Sequence, residues 1–476
     1  MIRPARDPGR ERAAGMERVE RPQIEGVLDD LLPLVKDRRD APLRNILLDL
    51  HPADVAAFIG SLRDEDDRRY VFGLLTEPEI ASAVLTELSG PAREDITQDL
   101  HHDAIADLVE EMSTDDAADV LQELAPERAS KVLEGMGAEE AAAMRPLLGY
   151  DEESAGGIMD AEVLTVPLGA TVGEAREVVR ARSEEAEPFF FVFVVDDEGR
   201  LRGTLSLRTL VLKHSGTPVV EAMDTQPVTV PPDMDQERVA EIFRRYDLLS
   251  VPVVDAKGRL LGRITVDDVV DVMREEAEED IARMVGTDEE EFDESSVRRI
   301  AFLRLPWILT SLAGGLFAGA VLRHFTGTLG LVAVFLVSFV PVITAMAGNA
   351  GSQAATIMVR RLALRPVGAR EMGSIVVRET RVGLLVGLIC GVVAGTTAVI
   401  FKGIWLYGVV VSAAMIAAIL VAAILGTTAP VFFRRVRVDP AVATGPFVSM
   451  TNDVVGLLIY FGLAVLLLGL AGEIGP

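Results

Sequence analysis

Asp453 stands in an apolar stretch that runs from Pro446 to Ala471, long enough to cross a bilayer. An ionised carboxylate at the centre of a spanning helix costs about 2.5 to 3.5 kcal/mol on insertion scales. Asp is too short to reach the interface from mid-span, and the neighbouring apolar stretches carry basic residues only near their ends. The chemistry open to such a group is to hold a mobile cation. The alternative is a hydrated structural acid near the mouth of its stretch, because Asp453 follows Pro446 by only seven residues. A second unusual run follows Pro341: "GNAGSQ", from Gly348 to Gln353. Helix breakers and amides at membrane depth are tolerated where backbone carbonyls line an enclosed, wet cavity. Gly348 and Gly351 alone would equally serve close helix packing.

Five apolar runs, at about 305–322, 329–359, 382–401, 403–433 and 446–471, must position these residues. Each matches or exceeds the roughly 17 to 25 residues of a spanning helix. Basic residues flank them alternately. Arg298, Arg299 and Arg304 precede the first run, and Arg323 alone follows it. Arg360, Arg361, Arg365, Arg370, Arg378 and Arg381 separate the second and third, Lys402 stands alone, and Arg434, Arg435 and Arg437 follow the fourth. By the positive-inside rule the clusters are cytoplasmic, which places the N-terminus inside and the C-terminus outside.

Charge divides the chain in the same place. From Val297 onward there are 14 Lys and Arg against 5 Asp and Glu, out of totals of 46 and 73. The portion before Val297 therefore carries a charge near −36 and the rest near +9. So acidic a portion repels a phosphate backbone and excludes nucleic acid as its partner. It suits cations. The single cysteine, Cys390, lies in an apolar run and excludes an intrachain disulfide. The stretch 1–23 has no apolar segment of the secretory kind and reads as a disordered leader.

Two repeats organise the acidic portion. Leu100, Met112, Leu124, Met136 and Leu148 recur every 12 residues, in units such as "MSTDDAADVLQE" and "LAPERASKVLEG". One such unit cannot bury its own apolar face, so 24–150 reads as short helices stacked into a superhelix. His51, His101 and His102 lie among these helices, without the spacing of a metal site, and read as surface or core residues. The longer repeat pairs "VLTVPLGATVGEA" with "PVTVPPDMDQERV" and "FVFVVDDEGRLRGTLSLRTLV" with "SVPVVDAKGRLLGRITVDDVV". Each copy predicts a strand, a helix, two strands joined by an Asp/Gly turn, and a helix. The two copies, about 156–215 and 218–274, resemble a pair of CBS domains, a module that binds adenine nucleotides. That resemblance implies ATP at Gly262, Thr265 and Asp268 of the second copy, where the hydroxyl would meet phosphate and the acid ribose. The first copy keeps Gly203 and Ser206 but has Thr209 in place of the acid. After it, "MREEAEEDIARM" crowds Glu275, Glu276, Glu278, Glu279 and Asp280 onto one helix, whose like charges call for counter-ions.

In this order the parts resemble the MgtE family of magnesium channels over about residues 24–472, most specifically in "GNAGSQ" and "DPAVATGPFVSMTNDVVGLLIYF". The resemblance implies a multidomain membrane protein. It would have an α-helical superhelical N domain (24–150), an α/β CBS pair (151–274), an acidic plug or connecting helix (275–304) and an all-α transmembrane domain of five helices (305–476). It also implies a homodimer in the plasma membrane whose pore is lined by the second and fifth spans. Asp453 would hold hydrated Mg²⁺ in that pore, with Asn349 as a neighbour. Cytosolic Mg²⁺ would close the pore by bridging acids of the N domain, the CBS pair and the plug. Asp247, Glu275, Glu278, Glu279 and Asp439 are the candidates for those acids, and ATP would tune the sensing. Competing readings are a divalent cation antiporter, for which no second intramembrane acid offers a coupling site, and a CBS-regulated anion channel, disfavoured by the acidic field. A membrane-anchored metal or nucleotide sensor that transports nothing is the last. No nucleophile with a base, zinc spacing or phosphate loop points to an enzyme.

Overall fold

The computed structural model describes residues 31–471, apart from 89, 183–188, 289, 294–295 and 365–367. The leader expected at 1–23 lies outside the described residues. The chain divides into two compact units, 1–239 with 247–266, and 240–246 with 267–476.

Among the described residues the first unit opens on helical residues 31–36 and continues with nine short helices: α1 (Asp40–Asp49), α2 (Pro52–Ser61), α3 (Glu65–Phe72), α4 (Pro78–Glu87), α5 (Gly90–Asp99), α6 (His102–Val109), α7 (Thr114–Glu123), α8 (Pro126–Gly135) and α9 (Ala138–Leu147). Their starts follow a 12-residue step, stretched to 13 before α3 and α4. The repeat therefore reaches back to Asp40, well before Leu100. At the repeat positions Leu50, Leu62, Leu88, Leu124 and Met136 the chain leaves the helix in an extended conformation. Packing then runs between alternate helices, α2 with α4, α3 with α5, α4 with α6, α6 with α8 and α7 with α9. That is how ten-residue helices, too short to be stable alone, assemble a superhelix around Phe58, Ile59, Val84 and Leu85.

The CBS copies follow. The first has β1 (Thr165–Pro167), α10 (Val172–Ala181), β2 (Phe191–Val195), β3 (Leu201–Ser206) and α11 (Leu207–Leu212), then a short α12 (Val219–Ala222). Its sheet runs β1-β2-β3, with β1 parallel to β2 and β2 antiparallel to β3. The second has α13 (Gln236–Tyr246) and antiparallel β4 (Ser250–Val254) and β5 (Leu260–Thr265). In the turns Asp196 accepts from the N–H groups of Glu198 and Arg200 (3.1 and 2.9 Å). Asp255 likewise accepts from Lys257 and Arg259 (2.8 Å each). Gly199 and Gly258 supply the left-handed residue each turn needs, at φ 74° and 77°.

A buried ionic junction ties α7 to the second copy. Asp160 pairs with Arg263 at 3.0 Å, and its other oxygen accepts from the Thr114 hydroxyl at 2.9 Å. Both charged side chains are almost fully enclosed. Removing one partner of such a pair leaves a buried charge uncompensated, at about 3 to 5 kcal/mol. Asp160→Ala is expected to lower the first thermal transition of the protein by several degrees, with Thr114→Val, which spares the charge pair, doing much less.

In the second unit α14 (Val266–Val285) is one continuous helix. The acidic run expected to form its own helix over 275–304 is instead the second half of α14, and Gly286 at φ 84° ends it. A short α15 (Glu290–Asp293) precedes α16 (Val297–Leu329). Then come α17 (Leu331–Val337), α18 (Val340–Leu364), α19 (Ala369–Lys402), α20 (Trp405–Arg435), a 3₁₀ turn (Pro440–Ala443) and α21 (Pro446–Leu470). Among the described residues four helices are long and apolar enough to cross a membrane: α16, α19, α20 and the segment ending in α21. The second expected span, 329–359, is not one helix. It breaks between Val337 and Val340, because Pro341 carries no N–H to continue the α17 ladder and is favoured in the first turn of a new helix. The Tyr460 hydroxyl, fully buried, donates to the Leu336 carbonyl at 2.8 Å and covers the polar end of α17.

Helix α20 is the hub of this unit, packed by α18, α19 and α21. Along α19, Gly383, Gly387, Gly391 and Gly395 recur every four residues against Ala423, Ile416 and Ser412 of α20. The small residues let the two backbones approach, which is how helices associate where water is absent.

Candidate functional site in the membrane unit

Helices α18 and α21 pack on each other through small residues, and this contact orients everything polar around it. A side chain on Gly351 would strike the Asn452 amide, and one on Gly426 of α20 would strike the Gly351 carbonyl. Gly456 faces Ala347. Gly351 is therefore a packing glycine, whereas a side chain on Gly348 would meet nothing. Asn452 is 1 % exposed, and neither of its amide atoms has a hydrogen-bond partner among the described residues.

One residue turns a helix by about 100°, so Asp453 lies to the side of this contact. It is half-buried, and among the described residues its carboxylate has no hydrogen-bond or ion-pair partner. Four residues before it on the same face is Ser449, exposed, and four before that Gly445. On α18 the exposed positions include Asn349, Gln353, Thr356 and Arg360, spaced by three and four. Both helices thus carry a polar stripe that a single chain leaves open. Polar groups within membrane segments face a bundle interior or a water-filled cavity rather than lipid. Sequence reading singled out Asn349, Gln353 and Asp453 but missed Thr356. Its i, i+3 spacing from Gln353, the end of "GNAGSQ", was the available signal.

The acids expected to sense Mg²⁺ are placed as follows. Glu279 and Asp439 are brought together by Arg283, which pairs with both. Glu278 pairs with Arg274 of its own helix at 3.8 Å. Glu275 is exposed on α14. The helix therefore supplies part of the counter-charge that its acidic run was read as taking from outside. Asp280, half-buried beside them, has its carboxyl pushed up to about 6, first by burial and then by the negative charges of Asp439 and Glu276. Asp439 also caps the 3₁₀ turn, accepting from the Ala441 N–H at 2.7 Å. Asp247, in the first unit, is exposed at the end of α13 with a left-handed backbone, φ 51°.

In the candidate nucleotide motif, Gly262 is required by packing. A side chain there would strike the Asp160 carbonyl, and Gly203 meets Asp224 in the same way in the first copy. Thr265 closes β5 and is buried, and Asp268 lies in the first turn of α14. The histidines divide. His51 caps α2 by accepting from the Ala53 N–H at 3.3 Å. His101, His102 and Asp103 have ligand atoms within 4.8 Å of one another, but at the start of α6, where the positive helix end opposes a cation.

Comparison with known proteins agrees with this architecture part by part. The MgtE divalent cation transporter family matches residues 340–463, the MgtE intracellular N domain 50–153, and the CBS domain 155–215 and 219–275. The magnesium transporter MgtE of Enterococcus faecalis is 38 % identical over 439 residues, 91 % of this chain and 95 % of that protein. The magnesium transporter MgtE of Thermus thermophilus is 37 % identical over 324 residues, covering 68 % and 72 %. The crystal structure of the cytosolic domain of the Mg²⁺ channel MgtE in complex with ATP is 35 % identical, covering 52 % of this chain and 99 % of that one, at a TM-score of 0.48. With relatives aligned over most of both lengths, this chain belongs to the MgtE family of divalent cation transporters.

Proposed function

We infer that the chain conducts Mg²⁺ across the plasma membrane, down its electrochemical gradient, as a homodimer. The observation that carries this reading is Asp453: a carboxylate on a membrane helix with no hydrogen-bond or ion-pair partner among the described residues, in line with Ser449 and to the side of the face that packs on α18. A second copy of the chain would enclose the open polar stripes of α18 and α21 and turn them into a pore lining. Mg²⁺ demands octahedral oxygen and sheds water reluctantly. A ring of two Asp453 carboxylates, with Asn349 and the carbonyls near Gly348, can therefore select the ion through its own waters. The basic clusters at Arg360 to Arg381 and at Arg434 to Arg437 support a cytoplasmic N-terminus and an outer C-terminus.

Closure by cytosolic Mg²⁺ is assigned to Asp247, Glu275, Glu278, Glu279 and Asp439. Ions bridging these acids favour the closed state only if they bind it better than the open one. The dense charge supports that condition, since acids drawn together repel unless a cation intervenes. ATP, held by Gly262, Thr265 and Asp268 of the second CBS copy, would tune the same equilibrium.

The test is Mg²⁺ entry into liposomes containing the purified protein, followed with an internal Mg²⁺-sensitive dye. Wild type should admit Mg²⁺ and shut as Mg²⁺ on the cytoplasmic face rises. With Glu275, Glu278 and Glu279 all changed to Gln, conduction should persist while the closing concentration rises about tenfold or more, equivalent to about 1.4 kcal/mol. Closure at the wild-type concentration would remove the connecting helix from the sensor.

A further inference from the structure

The junction between the end of α14 and the loop before α21 holds a positive charge where the gating scheme asks for an ion. Arg283 reaches Glu279 through one guanidinium nitrogen and Asp439 through the other. The other Asp439 oxygen is already committed to the Ala441 N–H. Around this contact the backbones are closely seated. Gly445 leaves no room for a side chain beneath the Met284 carbonyl, and Gly286 none beside the Pro446 ring.

We propose that Arg283 is a tethered counter-ion that fastens the end of the connecting helix to the loop before the last span when no divalent cation is bound, so that this end stays seated whether the gate is open or closed. The proposal deepens the gating reading above and rests on it for its functional meaning. A guanidinium is charged at every accessible pH, and its planar fork can serve two carboxylates at once. The three side chains are largely withdrawn from water, with 35 %, 18 % and 24 % of Arg283, Glu279 and Asp439 exposed, so their attraction is screened less than at the surface. A Mg²⁺ ion bridging Glu279 and Asp439 directly would have to displace Arg283 first. One positive charge between two carboxylates also leaves the cluster net negative. The junction is thus held at low Mg²⁺ and still able to gain from a cation.

Hydrogen exchange of the full-length protein in detergent tests this, read on peptides spanning 281–287 and 439–449. In EDTA the wild type should be protected at both. Arg283→Ala should exchange about tenfold faster there, returning to the wild-type rate in millimolar Mg²⁺. Arg283→Lys, which keeps the charge but not the fork, should fall between wild type and Arg283→Ala, and the charge swap Arg283→Asp with Asp439→Arg should restore protection on 281–287. A peptide spanning 114–123 must be unchanged, to show that the variants fold. Equal protection of Arg283→Ala and wild type in EDTA overturns the proposal, as does failure of the charge swap to restore protection on 281–287. If protection is lost as expected but Mg²⁺ closes flux through Arg283→Ala as in wild type, the tether stands, and the assignment of Glu279 and Asp439 to the gate falls.

Discussion

Asp453→Ala is expected to cut Mg²⁺ uptake into liposomes by about two orders of magnitude while leaving the protein folded and its assembly state unchanged. The carboxylate is the charged group of the polar face of α21, and in a twofold assembly its loss removes two negative charges from one ring. Losing about 3 kcal/mol of stabilisation for the ion beside that carboxylate corresponds to roughly a hundredfold in rate. Asp453→Asn keeps the shape and a carbonyl oxygen, so it should retain more flux than alanine, with weaker preference for divalent ions. Flux assays paired with size-exclusion profiles separate the outcomes. If Asp453→Ala conducts like wild type, the acid is structural, and the selective element must lie among the carbonyls of α18.

The second large effect is on assembly of the membrane unit. Gly426→Val should abolish the monodisperse detergent-solubilised protein or lower its melting temperature by more than 10 °C. The added side chain would be driven into the Gly351 backbone, its Cβ facing both the carbonyl and Cα. Backbone cannot rotate aside as a side chain can, so the cost exceeds the usual 1 to 3 kcal/mol of an overpacked core. Gly348→Ala is the matched control. It adds a methyl where nothing lies within 4 Å and should be neutral for stability. Equal melting of the two variants would refute the packing of α18 against α20.

Much of this was legible from the linear chain, because it is local. The 12-residue repeat, the paired Asp/Gly turns and the long apolar runs each express hydrophobic period and turn chemistry within a few residues. They settled the kinds of element and their order, and the polarity of Asp453 marked it at once. Alternation of basic clusters carried the expected orientation in the same way. The break in the second span was half visible: Pro341 stood out as a helix breaker, but not that the Tyr460 hydroxyl, 124 residues after Leu336, would cover the end of α17.

What the sequence determined by itself was therefore the inventory: superhelix, CBS pair, membrane helices and an acid within the last of them. Tertiary structure decided which of near-identical neighbours does what. Gly351 packs and Gly348 does not; Asn452 is enclosed and Asp453 is open; Arg283, one of many charges around the acidic run, joins two carboxylates 160 positions apart. The physical reason is common to all three. Successive helical residues point about 100° apart, and which direction meets a partner is set by helices from distant parts of the chain.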